Sequence, residues 1–197
     1  LGINNLLQEN PGQADLLDIL NQTAHQLDDT IHAMNELLTI ENESDLKPQQ
    51  GVNLRQAFLN NIGLLKNLIE SAAEIEINIP EDISVRVIPA YLDSIINNLL
   101  TNAIKYRKNF QKSHITISAE TNQDEVVFKV SDDGIGIDLN KYRNRLFKMR
   151  SRFHHGSEGK GLGLFFTKRQ IEAMQGSISV ESEPDVGSTF TIRLKKS

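Results

Sequence analysis

Cysteine is absent from the chain, which excludes disulfides, zinc–thiolate centres and cysteine nucleophiles. No apolar run approaches the roughly 18 residues of a membrane span, and no signal-peptide pattern is present, so no membrane contact is expected. Positive charge is outweighed: 21 Lys and Arg against 26 Asp and Glu leave a net charge of −5. That argues against bulk nucleic-acid binding, though not against a local basic site. The 39% apolar content supports a packed core, and 24% charged residues is ordinary for a globular protein. A length of 197 residues suggests one domain with an addition, or two small domains. The chain opens at Leu1 inside a helical pattern, so it reads as part of a longer protein.

Residues 14–42 read as one long helix. Leu17, Leu20, Ala24, Leu27, Ile31, Met34 and Leu38 step alternately by three and four, the seam of a coiled coil or bundle. Asn10-Pro11-Gly12 breaks the chain before it, and residues 1–9 read as the end of a preceding antiparallel helix. The longer helix spans ~43 Å and the shorter ~14 Å. Most of the seam therefore needs a partner from upstream sequence or another subunit, unless the helix lies alone on a globular surface. Residues 45–51, with Pro48 and Gly51, read as a linker. A second amphipathic helix is expected over 53–71, on Leu54, Phe58, Ile62, Leu65 and Ile69. The period then changes. Ile75, Ile77 and Ile79 alternate with polar residues, as do Val85 and Val87, which indicates strands. Pro89 suits the first turn of a helix reaching about Tyr106. Strands are expected near 114–119 and 126–131, a loop-rich stretch over 132–160, and a helix over 161–174 ended by Gly176. Two final strands are expected near 177–182 and 188–194. The expected class is α+β, with a mixed or antiparallel sheet and helices on one face.

Four short stretches point to chemistry. In the helix "PAYLDSIINNLLTNAIKY", Asn98, Asn102, Lys105 and Tyr106 share one face opposite an apolar stripe. Asparagine is a poor helix former, so the pair needs a reason. A neutral amide carbonyl can ligate Mg²⁺, and a lysine can reach phosphate; a solvated face is the plainer alternative. "SDDGIGID" at 131–138 lacks the third glycine of a dinucleotide fingerprint, since position 139 is Leu139. Nor is there a P-loop, because Gly159-Lys160 is followed by Gly161. A strand-end carboxylate can accept from the exocyclic amine of adenine, and glycines let a flat base approach; an ordinary Asp-Gly turn is the alternative. From Lys141 to Arg152 there are six basic residues and no acid, followed by glycines at 156, 159, 161 and 163. A basic, glycine-hinged loop leading into a helix suits a polyphosphate; a basic protein-docking or nucleic-acid patch is the alternative. In "VGSTFTIRL", Ser188 places a hydroxyl near the same region.

Together and in this order, the stretches resemble the N, G1, F/G2 and G3 boxes of two-component sensor histidine kinases. The resemblance covers essentially the whole chain. It implies a truncated dimerisation and phosphotransfer hairpin over residues 1–44, a linker over 45–51, and a catalytic ATP-binding domain over 52–197. That domain is expected to be an α/β sandwich of the GHKL superfamily, its mixed sheet covered on one face by helices. By resemblance, Asp132 bonds the adenine amine while Gly134, Gly136 and Ile137 line the base. Asn102 binds Mg²⁺ with Asn98 in support, and Lys105 and Tyr106 contact phosphate and ribose. Phe147 is the F-box phenylalanine. Arg152 and Lys160 are phosphate contacts, and Gly159, Gly161, Leu162 and Gly163 form the lid end. Ser188 holds the G3 position. Asp133 replaces a common asparagine.

The implied function is ATP-dependent phosphorylation of a histidine, then of an aspartate on a response-regulator receiver domain. ATP and Mg²⁺ are the implied cofactors, and a homodimer through residues 1–44 the implied assembly. The implied place is cytoplasmic, with a parent protein that can be membrane-anchored. The family's acceptor histidine sits in a context like His-Asp/Glu-Leu-Arg-x-Pro. His25, His32, His114, His154 and His155 lack it, so the acceptor is expected upstream of Leu1. One rival is a superfamily ATPase, which places a glutamate base four residues before the Mg²⁺ asparagine; that position is Asn98, and no acid occurs between Ser94 and Asn109. The other is a non-catalytic nucleotide-binding dimerisation scaffold.

Overall fold

The computed structural model describes residues 49–108, 111–149 and 161–197. The chain divides into two units, Leu1–Thr39 and Ile40–Ser197, and every described residue lies in the second. The expected hairpin with its seam, residues 45–48 of the linker, Arg152, Gly159, Lys160 and all histidines except His114 lie outside the described residues.

In chain order the elements are β1 (Gln50–Asn53), α1 (Leu54–Leu64), α2 (Lys66–Ala72), β2 (Ala73–Asn78), β3 (Ser84–Val87) and α3 (Pro89–Lys105). They continue with β4 (Ser113–Thr121), β5 (Glu125–Asp132), α4 (Leu139–Tyr142) and a 3-10 turn at Arg143–Arg145. The last three are α5 (Gly163–Ala173), β6 (Ser177–Glu183) and β7 (Gly187–Lys195). Five strands form one sheet in the order β2-β4-β5-β7-β6. β2 is parallel to β4, while the remaining neighbours are antiparallel, so the sheet is mixed as expected. β1 and β3 make a separate antiparallel ribbon. It is tied to the end of β7 by the Val85–Lys196 bridge and by the Ser197 N–H, which donates to the Ser84 carbonyl.

The alternation in β4, β5 and β7 buries Ile115, Ile117, Phe128, Val130 and Ile192 on one face. Ser118, Lys129 and Arg193 occupy the other, which is polar. α3 presents Leu92, Ile95, Ile96 and Leu99 at helical spacing, all buried. Phe58 of α1 meets Phe128 edge-on at 5.8 Å, a contact worth about 0.5–1.5 kcal/mol beyond its burial.

Three local expectations change. Gln50 and Gly51 are strand, not linker, because β1 pairs with β3. The single helix over 53–71 is two, broken at Leu65 just after Gly63, a residue that weakens a helix interior. Asn61 is buried inside it, and its Nδ2 donates to the Ala57 carbonyl and to Asp93 Oδ1. At the end of α5 the left-handed residue is Gln175 (φ 62), one position before the expected glycine. The Gly176 N–H donates to the Ile171 carbonyl and the Gln175 N–H to the Glu172 carbonyl, a Schellman ending. Gly176 is needed for a different reason: a Cβ there would strike the Arg193 carbonyl of β7. Among the described residues no helix is long and apolar enough to cross a membrane.

Candidate functional site

Pro89 starts α3 without an unpaired N–H, and the helix then runs unbroken to Lys105. Its apolar stripe locks onto the sheet, which leaves Asn98 and Asn102 half-buried on the flank facing α5. Asn98 Nδ2 donates to Thr167 Oγ at 2.8 Å, and Asn98 Oδ1 accepts from Asn102 Nδ2 at 3.3 Å. Gly163 begins α5 directly over Asn98: any Cβ there would collide with the Asn98 amide oxygen. Further along, Gln170 Nε2 donates to Ser94 Oγ at 3.1 Å. The α3–α5 seam is therefore lined with polar pairs. Lys105 is exposed, with its ammonium 5.0 Å from the Tyr106 ring centre.

Tyr106 ends the helix and joins it to the acid-glycine loop, since its carbonyl accepts from the Ile135 N–H at 2.9 Å. Asp132 closes β5 opposite Ser188 of β7. Its Oδ1 accepts from the Gly134 N–H at 2.9 Å. Burial pushes its carboxyl up from the usual 3.8 to about 6, and neighbouring Asp133 adds to the rise. The N–H groups of Gly134 and Ser188 and the Lys108 ammonium pull in the other direction. A carboxyl raised by desolvation at an element end is a frequent mark of a functional site. Asp133, the departure noted in the sequence, accepts from the His114 N–H at 2.8 Å and so pins the start of β4.

The two glycines that follow leave room for protein as well as for any ligand. A Cβ on Gly134 would stand 2.5 Å from the Tyr106 carbonyl oxygen. Gly136 has φ +66, and a Cβ on it would strike the Glu183 carbonyl of the β6–β7 hairpin. That hairpin also receives Ile137, which is buried and donates its N–H to Ser182 Oγ at 2.8 Å. Ser182 Oγ donates to the Gly187 carbonyl and meets Ser188 Oγ at 2.9 Å. With its single proton committed to Gly187, it must accept from Ser188. Ser182 was not legible as a site residue, because one serine in an alternating strand carries no signal. Thr167 carries no signal either, as a single threonine inside an amphipathic helix.

Downstream, Asp138 caps the short α4 by accepting from the Asn140 and Lys141 N–H groups. Leu146 is almost wholly buried. Phe147 is half-buried, with the Lys168 ammonium 5.6 Å from its ring centre. Gly161 has φ +67 and, with Leu162, leads into α5, whose first N–H groups have no side-chain cap. The structure thus brings Asn98 together with Asn102 and Gly163, Gly134 with Tyr106 and Asp132, Asp132 with Ser188, and Ile137 with Ser188 through Ser182. Among the described residues no group of three or more His, Asp or Glu is placed to hold a metal ion. Asn102 Oδ1 is a neutral oxygen with no hydrogen-bond partner among the described residues.

The arrangement is that of a nucleotide-binding α+β sandwich. Residues 87–197 match the family described as histidine kinase-, DNA gyrase B-, and HSP90-like ATPase, and the chain belongs to that family. It is 31% identical over 206 aligned positions to sensor histidine kinase YcbM of Bacillus subtilis, covering 100% of this chain and 66% of that protein. It is 29% identical over 185 positions to histidine protein kinase SaeS of Staphylococcus aureus, covering 91% and 52%. The structure of Acinetobacter baumannii histidine kinase AdeS shares the fold, with a TM-score of 0.69 at 21% identity over 91% of this chain and 83% of that one. The chain spans about two thirds of YcbM and about half of SaeS.

Proposed function

We propose that the chain is the ATP-binding catalytic core of a two-component sensor histidine kinase. The observation that carries this reading is the meeting of Asp132, Gly134 and Tyr106 at the end of the helix that bears Asn98 and Asn102. Asp132, desolvated but ionisable, accepts from the adenine amine. Ser188 lies beside it, and Ile137 and Gly136 shape the wall next to the base. Lys105, Tyr106, Arg152 and Lys160 serve ribose and phosphates, with the α5 N-terminus adding N–H donors. Phe147, Gly159, Gly161, Leu162 and Gly163 belong to the lid and its landing point.

Mg²⁺ fits the donors present. It prefers oxygen ligands, keeps several waters and is usually completed by substrate phosphates. Asn102 is the protein ligand in this reading, and Asn98 holds it, because both ends of the Asn98 amide are already bonded. When bound, the ion offsets charge on the phosphates. An acceptor imidazole attacks the γ-phosphorus, the bond to the β-phosphate oxygen breaks, and ADP leaves. The phosphoryl group then passes to an aspartate of a response-regulator receiver domain. Dimerisation through residues 1–44 and a cytoplasmic place complete the proposal. Water activation is disfavoured, since Asn98 stands where a hydrolytic site needs an acid.

Calorimetry tests the assignment. Wild-type chain should bind ADP, and Mg²⁺ should strengthen ATP binding. Asp132→Asn should weaken all adenine nucleotides, since the charge-assisted acceptor is lost. Asn102→Asp should disturb mainly the Mg²⁺–phosphate end. Unchanged ATP affinity in Asp132→Asn rejects the base-recognition assignment.

A further inference from the structure

Thr167 lies in the second turn of α5 and is 1% exposed. Its hydroxyl receives Asn98 Nδ2 at 2.8 Å. A planar amide carries its acceptor on one side and its donors on the other. Holding the Asn98 nitrogen toward Thr167 therefore turns Asn98 Oδ1 toward Asn102. Asn102 Nδ2 answers it at 3.3 Å. The same geometry leaves Asn102 Oδ1 facing away from Asn98, with no partner among the described residues. Reversing the first amide reverses the second, and would present N–H donors where a cation needs an oxygen. Gly163, one turn earlier on α5, keeps the approach to Asn98 Oδ1 clear of any side chain.

We propose that Thr167 is a positioning residue for the nucleotide-bound cation: by accepting from Asn98 Nδ2, its hydroxyl holds the amides of Asn98 and Asn102 in the orientation that turns the Asn102 carbonyl outward. The inference rests on the ATP and Mg²⁺ reading above and adds a residue outside its four boxes. It also gives the lid-end helix a direct link to the cation site. When α5 is docked, Thr167 is in place and the asparagine relay is set. When Thr167 loses its hydroxyl, the half-buried Asn98 Nδ2 has no partner on that side, and the relay loses that hold.

The test compares wild type, Thr167→Val and Thr167→Ser. Valine has the same shape without the hydroxyl, and serine keeps the hydroxyl. ATP and ADP binding are measured by calorimetry with Mg²⁺ and with EDTA, and thermal melts check folding. Side-chain amide resonances of Asn98 and Asn102 are followed by NMR in metal-free protein. In Thr167→Val the Mg²⁺-dependent gain in ATP affinity should fall by about 10- to 100-fold, the range for partners that orient a metal ligand. ADP affinity in EDTA should hold, and both asparagine amide signals should shift before any metal is added. Thr167→Ser should behave as wild type. A full Mg²⁺ gain in Thr167→Val, or a serine variant that fails like valine, overturns the proposal. So does an equal loss with and without Mg²⁺, which marks a packing role. A wild-type chain that binds no ATP in either condition rejects the underlying ATP reading and this inference with it.

Discussion

Burial pushes the Asp132 carboxyl up to about 6, above its usual 3.8, so the folded protein holds this proton more tightly than the unfolded chain does. Stability therefore falls as pH rises through that interval, and the full cost is present above about 6. A shift of that size corresponds to roughly 1–3 kcal/mol. Asp132→Asn removes the buried charge while keeping the shape. We expect it to melt about 3–8 °C higher than wild type near neutral pH. The advantage should shrink by about half near pH 5, where wild type begins to regain its proton. Adenine nucleotide binding should weaken in the same variant, and wild-type affinity for ADP should weaken as pH drops through about 6. Thermal melts and calorimetry at two pH values check both. An asparagine variant that is no more stable than wild type near neutral pH contradicts the assignment of burial as the cause.

The ending of α5 shows how an element can be terminated against its residue preferences. Gln175 takes the left-handed conformation at φ 62, where glycine is usual. The following glycine cannot exchange duties with it, because Gly176 lies against the β7 backbone. Gln175→Gly should relieve the strain and stabilise the fold by about 1 kcal/mol, less the entropy glycine brings to the unfolded chain. Urea unfolding measures this; a destabilised variant would show that the Lys195 contact to the Gln175 side chain outweighs the backbone gain. The hairpin β6–β7 shows the reverse case. Its tip is held by the Asp185 N–H to the Ile135 carbonyl and by Ser182 to Ile137. Ser182→Ala should cost about 1–3 kcal/mol, since it leaves the buried Ile137 N–H and the Ser188 hydroxyl without their shared partner. The same urea experiment reads it, and no change in midpoint would argue that water replaces the hydroxyl.

Across the molecule, charge is divided unevenly. The chain carries −5 overall, yet residues 141–152 hold six bases and no acid. A bound polyphosphate should offset their repulsion. Hydrogen exchange across 139–160 should slow when nucleotide is added, and equal protection with and without it would count against a lid. The second expectation concerns the acceptor. His114 lies on β4 with its backbone N–H bonded to Asp133, and neither it nor the other four histidines has the acceptor context. Radiolabelled γ-phosphate should leave no acid-labile label on any of the five histidines of this chain. Label on His25 or His32 would overturn the placement of the acceptor.

Much of the fold was legible because one short-range rule decided it. Leu92, Ile95, Ile96 and Leu99 had to share a helix face, Ile115 and Ile117 one side of their strand, and Phe128 and Val130 one side of theirs, whatever packed against them. The acid before Gly134 and the paired asparagines were legible too, because each contradicts local propensity and so demands a reason. What the chain could not announce were relations settled by distant backbone. β1 exists because β3 offers a ladder to a polar segment. Gln175 is left-handed because Gly176 is pressed against β7. Ser182 and Thr167 are ordinary hydroxyls until Ile137 and Asn98 arrive beside them. A hydrogen bond has direction and a reach of about 3 Å, so its partners are chosen only when the elements dock. Burial of apolar stripes has neither restriction, and for that reason periodicity alone could read the core but not the relay across the α3–α5 seam.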